Sequence, residues 1–305
     1  MTLAEIAGAT TAPADAPAAS APAAPPATTG RRRSRWRWFA RRPGLLLSIG
    51  VLLLVVLWAV RPGWFTAADP LVGVPREKLS PPSAEHWFGT DSIGRDLFAR
   101  VVHGAQYSLR AVAIALVLAL VVGALLGLIS GYLGGVVDNV IMRVVDVLLA
   151  LPGLLISLIL ITALGFGTLN VAIAVGVSAV AAFARVMRSE VLRVRNAAYV
   201  EAAVKGGVRW WSVMGRHVLP NSYGSIMALG ALEFGSAILS IAALSFLGFG
   251  AAPPAPEWGA LVADGRNYLA TAWWVTTLPG LVVIVVVIAA NRIGRALDGE
   301  WRQAR

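Results

Sequence analysis

The sequence of 305 residues contains no cysteine, only three histidines, and few charged residues, which make up 14% of the total. Without cysteine the chain can form no disulfide, no thiolate metal site and no cysteine nucleophile. His86, His103 and His217 are too few for a histidine-rich metal centre, so we predict no metal ligands. The sequence has neither a phosphate-binding Walker loop nor a serine, histidine and acid grouping at catalytic spacing. We therefore predict a chain with no catalytic residues and no cofactor of its own.

Apolar residues are present in excess. They make up 57% of the sequence, and the mean hydropathy is +0.72. A soluble domain of this length does not need so many apolar residues to fill its core. Lipid offers the backbone no hydrogen-bond partners, so segments that cross a membrane must be helices or a closed barrel. The apolar runs here are too long and unbroken for barrel strands, and the sequence predicts an all-α membrane protein.

Six apolar stretches approach or exceed the length of about 20 residues that is needed to cross a bilayer. They are predicted at 43–60, 107–133, 140–164, 168–189, 223–249 and 276–296. The first follows a basic flank, as a signal peptide would, but it leads into Arg61-Pro62-Gly63 without a cleavage pattern, so we predict a retained helix. Glycines in the later spans predict close helix contacts. They are Gly123, Gly127, Gly131, Gly176, Gly230 and Gly235.

The charge distribution predicts the orientation of these six transmembrane helices. If both termini are cytoplasmic, 19 of the 26 Lys and Arg residues fall on the inner side. The net charge of +10 then reflects topology and contact with membrane lipid, and we predict no nucleic-acid partner. The location predicted is the cell (inner) membrane.

The remaining segments divide as follows. We predict a disordered, Ala/Pro-rich and then basic cytoplasmic tail at 1–42, an extracytoplasmic segment at 61–106, a five-helix core at 107–296 with a cytoplasmic loop at 190–222, and a cytoplasmic tail at 297–305.

The inner loop contains a short segment rich in small residues. Alanine, valine, glutamate and lysine favour helical turns and glycine ends them, so we predict a short helix that stops at Gly206-Gly207. Ala202 and Ala203 would let another protein surface approach closely, beside the charge of Glu201. Val200 and Val204 would supply an apolar face. In the alternative interpretation, Glu201 only pairs with Lys205 on an ordinary surface helix.

The spacing in this loop is more informative than its composition. Glu201-Ala202-Ala203 is followed after three residues by Gly207, and after a further eleven by Leu219-Pro220. This string resembles the signature loop of ABC-importer permeases. The resemblance implies a coupling helix that docks in a cleft of a cytoplasmic ATPase subunit, which binds ATP and Mg. His217 stands where the family usually has an aliphatic residue, and we interpret it as a packing residue.

A second set of motifs indicates a branch of that family. They are His86 to Arg100, Met142-Arg143, Leu244 to Gly248, Pro253-Pro254, Trp258-Gly259 and Asp264 to Tyr268. These resemble the second permease subunit of dipeptide, oligopeptide and nickel importers. The resemblance implies a type I ABC-importer permease fold. It also implies three kinds of partner: a second permease subunit, ATPase subunits and an extracytoplasmic substrate-binding protein. Peptides are the expected substrate, with nickel or another small solute as the alternative.

Charged residues inside the predicted spans suggest further roles. We predict that Asp146 pairs with Arg143 and that Glu233 lines the translocation path. Many relatives carry a glutamate where this chain has Ile241, so no substrate contact is predicted there. A proton-coupled carrier that relies on Asp138, Asp146 and Glu233 is an alternative, and a membrane-embedded hydrolase is another. In the outer segment, we predict that Asp91, Arg95, Asp96 and Arg100 neutralise one another.

Overall fold

The computed structural model describes residues 43–303, so the predicted tail at 1–42 and the last two residues lie outside it. The helices are α1 (Pro43–Val60), α2 (Leu97–Leu133), α3 (Gly135–Ala150), α4 (Gly153–Leu164), α5 (Thr168–Arg195), α6 (Ala198–Lys205), α7 (Trp210–Val213), α8 (Leu219–Phe246), α9 (Trp258–Gly265) and α10 (Trp274–Gln303). Short 3-10 turns lie at Pro62–Trp64, Pro75–Glu77 and Arg266–Tyr268, and a π-helical turn lies at Met214–Val218.

Five helices of the described range are long and apolar enough to cross a membrane: α1, α2, α5, α8 and α10. A sixth crossing is formed if α3 and α4 together make one span, and these two helices meet at an angle of 99°. The apolar stretch predicted at 140–164 is therefore present, but it is broken into two helices at Leu151 and Pro152. Leu151 precedes Pro152 and has an extended backbone, because the proline ring disfavours the helical conformation in the residue before it.

The helix α5 is at the centre of the bundle. It packs against α2, α3, α4 and α8, and 50% of its most apolar window is buried, compared with 22% for α1. On α1 many large apolar side chains remain exposed, as expected of a helix that faces lipid. The helix α2 makes its most extensive contact with α5, and α8 packs against both α5 and α10.

Glycines of α2 line its contact with α5 at intervals of one helical turn. A Cβ placed on Gly127 would lie 2.4 Å from the Ala184 carbonyl oxygen, and one on Gly123 would lie 2.5 Å from Phe183 Cβ. The prediction of close helix contacts is confirmed at these two glycines and also at Gly131, Gly176 and Gly235, where an added Cβ would lie 2.8–2.9 Å from the nearest atom. At Gly230 the nearest atom would be 4.0 Å away, so there the prediction was wrong.

The segment between α1 and α2 is held by ion pairs. The Asp91 carboxylate accepts a hydrogen bond from Arg95 Nε at 2.6 Å and lies 3.6 Å from Nε of the buried Arg100. Asp96 has a different role from the one predicted. It accepts a hydrogen bond from the Ala99 amide as the N-cap of α2, and it lies 2.7 Å from His86 Nδ1. Asp91 therefore pairs with both arginines, whereas Asp96 contacts His86.

The contact between His86 and Asp96 predicts a pH effect on stability. The hydrogen bond to Asp96 raises the pKa of His86 above its usual 6.5. The stability that this contact adds is therefore fully present at a pH below the pKa of His86 in the unfolded chain. It is lost as the pH rises through the higher pKa of His86 in the folded chain. We expect His86→Ala to lower the melting temperature more at about pH 5.5 than at about pH 8.5.

His103 provides the control for this measurement. Its Nδ1 lies 2.9 Å from the Ala99 carbonyl oxygen, and it makes no ion pair among residues 43–303. His103→Ala therefore removes a histidine side chain without breaking an ion pair, and it gives the reference against which the His86→Ala loss is compared. An equal loss for His86→Ala at both pH values would contradict the assigned role of Asp96.

Candidate functional site

The predicted short helix is present as α6. Gly207 follows it with a φ of +78°, and the Val208 amide donates to the Ala203 carbonyl at 3.2 Å, which closes the helix end. The predicted stop at the glycine pair is confirmed. Glu201 and Lys205 form an ion pair of 2.6 Å, but their side chains are 61% and 75% exposed. An exposed pair of this kind contributes only about 0.3–0.5 kcal/mol.

One side of α6 is attached to the chain's own core. Val200 is only 2% exposed and belongs to an apolar cluster that includes Val194 of α5 and Val218 of the π-helical turn before α8. The prediction that Val200 offers an apolar face to another protein was therefore wrong, because this side chain fixes α6 to the bundle. Ala202 lies on the opposite, exposed side with Glu201.

A continuous helical segment leads from α7 into α8. The Leu219 amide donates to the carbonyl of Met214, five residues earlier, which is the hydrogen bond of a π-turn. Pro220 follows in the first turn of α8, where its missing amide costs little. Leu219 and Pro220 therefore lie where the loop joins the membrane helix, as their spacing predicted.

The position of His217 agrees with the packing role predicted for it. Its ring centroid lies 6.3 Å from that of Tyr199 in α6, with the ring planes tilted by 58°. The Asn221 amide nitrogen donates to the His217 carbonyl at 2.6 Å. His217 thus connects α6 with the base of α8.

Further polar contacts brace the same end of the bundle. Glu190 of α5 accepts hydrogen bonds from Arg193 and from Ser225 of α8, both at 2.8 Å. Arg195 donates to the Tyr132 carbonyl at the end of α2 at 2.7 Å. The helices α2, α5 and α8 are therefore tied together where α6 begins.

Two acidic residues of α3 are paired with arginines of α5. Asp138 accepts two hydrogen bonds from Arg188, both at 2.6 Å, and also accepts one from Ser130. Asp146 pairs with Arg185 at 2.5 Å. The predicted pair with Arg143 was therefore wrong, because α5 presents a closer cation across the helix contact.

A cavity of about 360 Å³ lies at the bend between α3 and α4. Its walls come from α2, α3, α4, α5 and α8, and Leu151 and Gly153 of the bend line it. Glu233 reaches this cavity and makes neither a hydrogen bond nor an ion pair within residues 43–303. Ile241 is only 2% exposed and belongs to the apolar core instead. The residue that replaces the family's glutamate is thus a core residue.

The predicted site residues fall into two regions that α8 connects. Glu233 is 13 residues beyond Pro220, or about 20 Å along the helix axis. The serines of the cavity were not predicted from the sequence; they are Ser178, Ser236 and Ser240. The last two follow Glu233 at three and seven residues, a helical spacing that places them on its face and would have revealed them.

Comparison with known proteins shows similarity over most of the chain. It is 38% identical over 252 residues, 83% of this chain and 85% of the relative, to the probable D,D-dipeptide transport system permease protein of Escherichia coli strain K12. It is 37% identical to the di/tripeptide transport system permease protein of Pseudomonas aeruginosa strain UCBPP-PA14, over 88% of this chain and 92% of the relative. It is 40% identical to the glutathione transport system permease protein of Salmonella typhimurium strain LT2, over 87% and 88%.

Solved structures show the same fold at lower identity. An inward-facing form of the MetNI methionine ABC transporter matches with a TM-score of 0.51 and 16% identity, covering 65% of this chain and 96% of that one. An amino acid ABC transporter solved with histidines matches with a TM-score of 0.53 and 14% identity, covering 67% and 94%. The predicted importer permease fold is confirmed.

The family described as "Binding-protein-dependent transport system inner membrane component" matches residues 123–303. This range contains α6, the start of α8, Glu233 and the other cavity-lining residues except Ala115 and Leu116. The resemblance to the second permease subunit of peptide-importing ABC transporters is confirmed by the family and its relatives. The chain belongs to the binding-protein-dependent transport system inner membrane components.

Proposed function

We propose that this chain forms half of the translocation path of an ATP-driven importer and that it carries peptides released by an extracytoplasmic binding protein. Peptides are supported as the substrate class because the three relatives are named for a D,D-dipeptide, di- and tripeptides, and glutathione. These names favour peptides over nickel. The second half of the path comes from a second permease subunit.

One structural observation supports the coupling role: α6 is fixed to the bundle through Val200 and exposes its other side. The surface for the ATPase is formed by Glu201, Ala202 and Ala203, and Gly207 sets its end. The ATPase subunits bind ATP and Mg. Their closure moves α6, and the helical segment through Leu219 and Pro220 transmits this movement to α8.

The basic residues support a cytoplasmic position for α6 and for both termini. Seven Lys and Arg residues lie between 185 and 216, at the end of the bundle that carries α6. An excess of Lys and Arg marks the cytoplasmic side of membrane proteins. The outer segment with Asp91 and His86 then faces the binding protein.

The arginine pairs of α3 argue against a proton-coupled carrier. Asp138 and Asp146 each bind an arginine of α5, and a paired carboxylate is a poor proton carrier. Glu233 alone remains of the three acidic residues on which that alternative relied. The described helices therefore do not bring these acidic residues together as a chain of proton-transfer groups.

A reconstituted complex can test the proposal. We expect vesicles that contain the chain with its second permease, ATPase and binding protein to take up labelled dialanine only when ATP is supplied. Uptake should continue when a proton ionophore is added. Uptake that is driven by a proton gradient without ATP would contradict the importer and favour the carrier.

A further inference from the structure

Among the described residues that line the cavity at the bend of α3 and α4, Glu233 is the one titratable residue. The side chain is partly buried, and within residues 43–303 no arginine or lysine pairs with it. An ionised carboxylate beside apolar walls is costly unless a cation or hydrogen-bond donors reach it. A positively charged ligand in the cavity would therefore stabilise the ionised Glu233 carboxylate.

Hydroxyl groups complete this polar face. Ser236 and Ser240 lie on the Glu233 side of α8, and Ser178 of α5 lines the same cavity. The remaining lining is mostly alanine and leucine, including Leu116 and Leu154. One charged group and three hydroxyls are thus arranged in an otherwise apolar chamber.

The ligand set excludes a metal ion as the guest. Calcium takes six to eight oxygen ligands, and transition metals prefer histidine or cysteine, neither of which lines the cavity. A primary ammonium group instead carries three donors, which a carboxylate and neighbouring hydroxyls can accept. The cavity of about 360 Å³ also leaves room for the body of a small organic molecule beside that group.

We propose that Glu233 pairs with a primary ammonium group of the substrate during its passage through the membrane. In peptides this group is the amino terminus or a lysine side chain. The inference rests on the proposed function, because it requires that peptides enter this cavity. Glu233 then determines specificity within the path, after the binding protein has made its own selection.

The test compares wild type and Glu233→Gln in the reconstituted complex, with dialanine as the probe. The measured quantity is the uptake rate of wild type divided by that of the variant. Both complexes receive substrate from the same binding protein, so the preference of that protein cancels in this ratio. We expect a ratio of about ten at about pH 6.5, since the variant loses a charge-assisted hydrogen bond. The amino terminus has a pKa of about 8, so the ratio should approach one at about pH 9.5.

A second probe distinguishes the two sources of the ammonium group. The lysine side chain keeps its charge up to a pKa of about 10.4. If the lysine is bound, the ratio is near one for dialanine, is raised for alanyl-lysine, and stays raised at about pH 9.5. If the amino terminus is bound, dialanine already shows the full ratio near neutral pH. Either result supports the pairing and identifies its source.

Two control variants separate charge from packing. Glu233→Asp keeps the charge and should retain most of the uptake, whereas Ser236→Ala changes the same wall without removing charge and should have a smaller effect. A ratio near one for both peptides at every pH would overturn the inference while leaving the importer intact. An equal loss at both pH values, matched by Ser236→Ala, would also overturn it. Absence of peptide uptake by wild type would overturn both proposals.

Discussion

Replacing Ala202 with tryptophan is expected to reduce ATP-driven uptake by about a hundredfold, because the indole would occupy the surface through which α6 contacts the ATPase. Ala202 is exposed, and its side of α6 is turned away from Val200 and the core. The larger side chain would therefore extend from an exposed position and not into the core. The melting temperature of the isolated chain should be unchanged, while its co-purification with the ATPase is lost.

The matched control is Ala202→Ser, which keeps a small side chain at the same position and should retain uptake and ATPase binding. The pair of variants separates steric bulk from the mere presence of a substitution. A tryptophan variant that still holds the ATPase and transports peptide at the wild-type rate would show that α6 is not the docking helix.

The second large effect is expected in the contact between α2 and α5. Gly127→Ala should lower the free energy of unfolding by about 1–3 kcal/mol, because the added Cβ would lie 2.4 Å from the Ala184 carbonyl oxygen. Backbone atoms cannot move aside without separating the two helices. Thermal unfolding of the purified chain in detergent measures this loss.

Gly230→Ala introduces the same methyl group elsewhere in the membrane helices. The nearest atom to its new Cβ would be 4.0 Å away, so we expect no loss and a small gain from the higher helix propensity of alanine. If the two variants unfolded at the same temperature, the close contact at Gly127 would not be a determinant of stability.

The membrane helices and the end of α6 were predictable because they depend on local sequence. Long apolar runs require helices in lipid, and the pair Gly206-Gly207 ends a helix without reference to the rest of the chain. The position of the bend at Pro152 was predictable, but its direction was not. Proline indicates that a helix breaks, but packing against α5 sets the direction of the next segment.

Residue partners across helix contacts were not predictable from one sequence. The helical period places Val200 on one face of α6, but it does not tell whether that face meets the chain's own core or another protein. Asp146 had a candidate partner one turn away in Arg143, and its actual partner Arg185 is 39 residues distant. Such choices depend on the tertiary arrangement, which sequence spacing does not contain.

The bend at Leu151 and Pro152 has a consequence for hydration. At the bend the Leu155 and Ile156 amides donate to the Pro152 carbonyl, and the Leu151 amide donates to the Leu148 carbonyl. The other polar groups at these two helix ends have no partner within their helices, and in a membrane such groups are tolerated only inside protein or beside water. Since the bend lines the cavity, we infer that water fills this space between transport events. A permease with a wet chamber between its membrane helices must keep a seal on at least one side, or ions would leak through it.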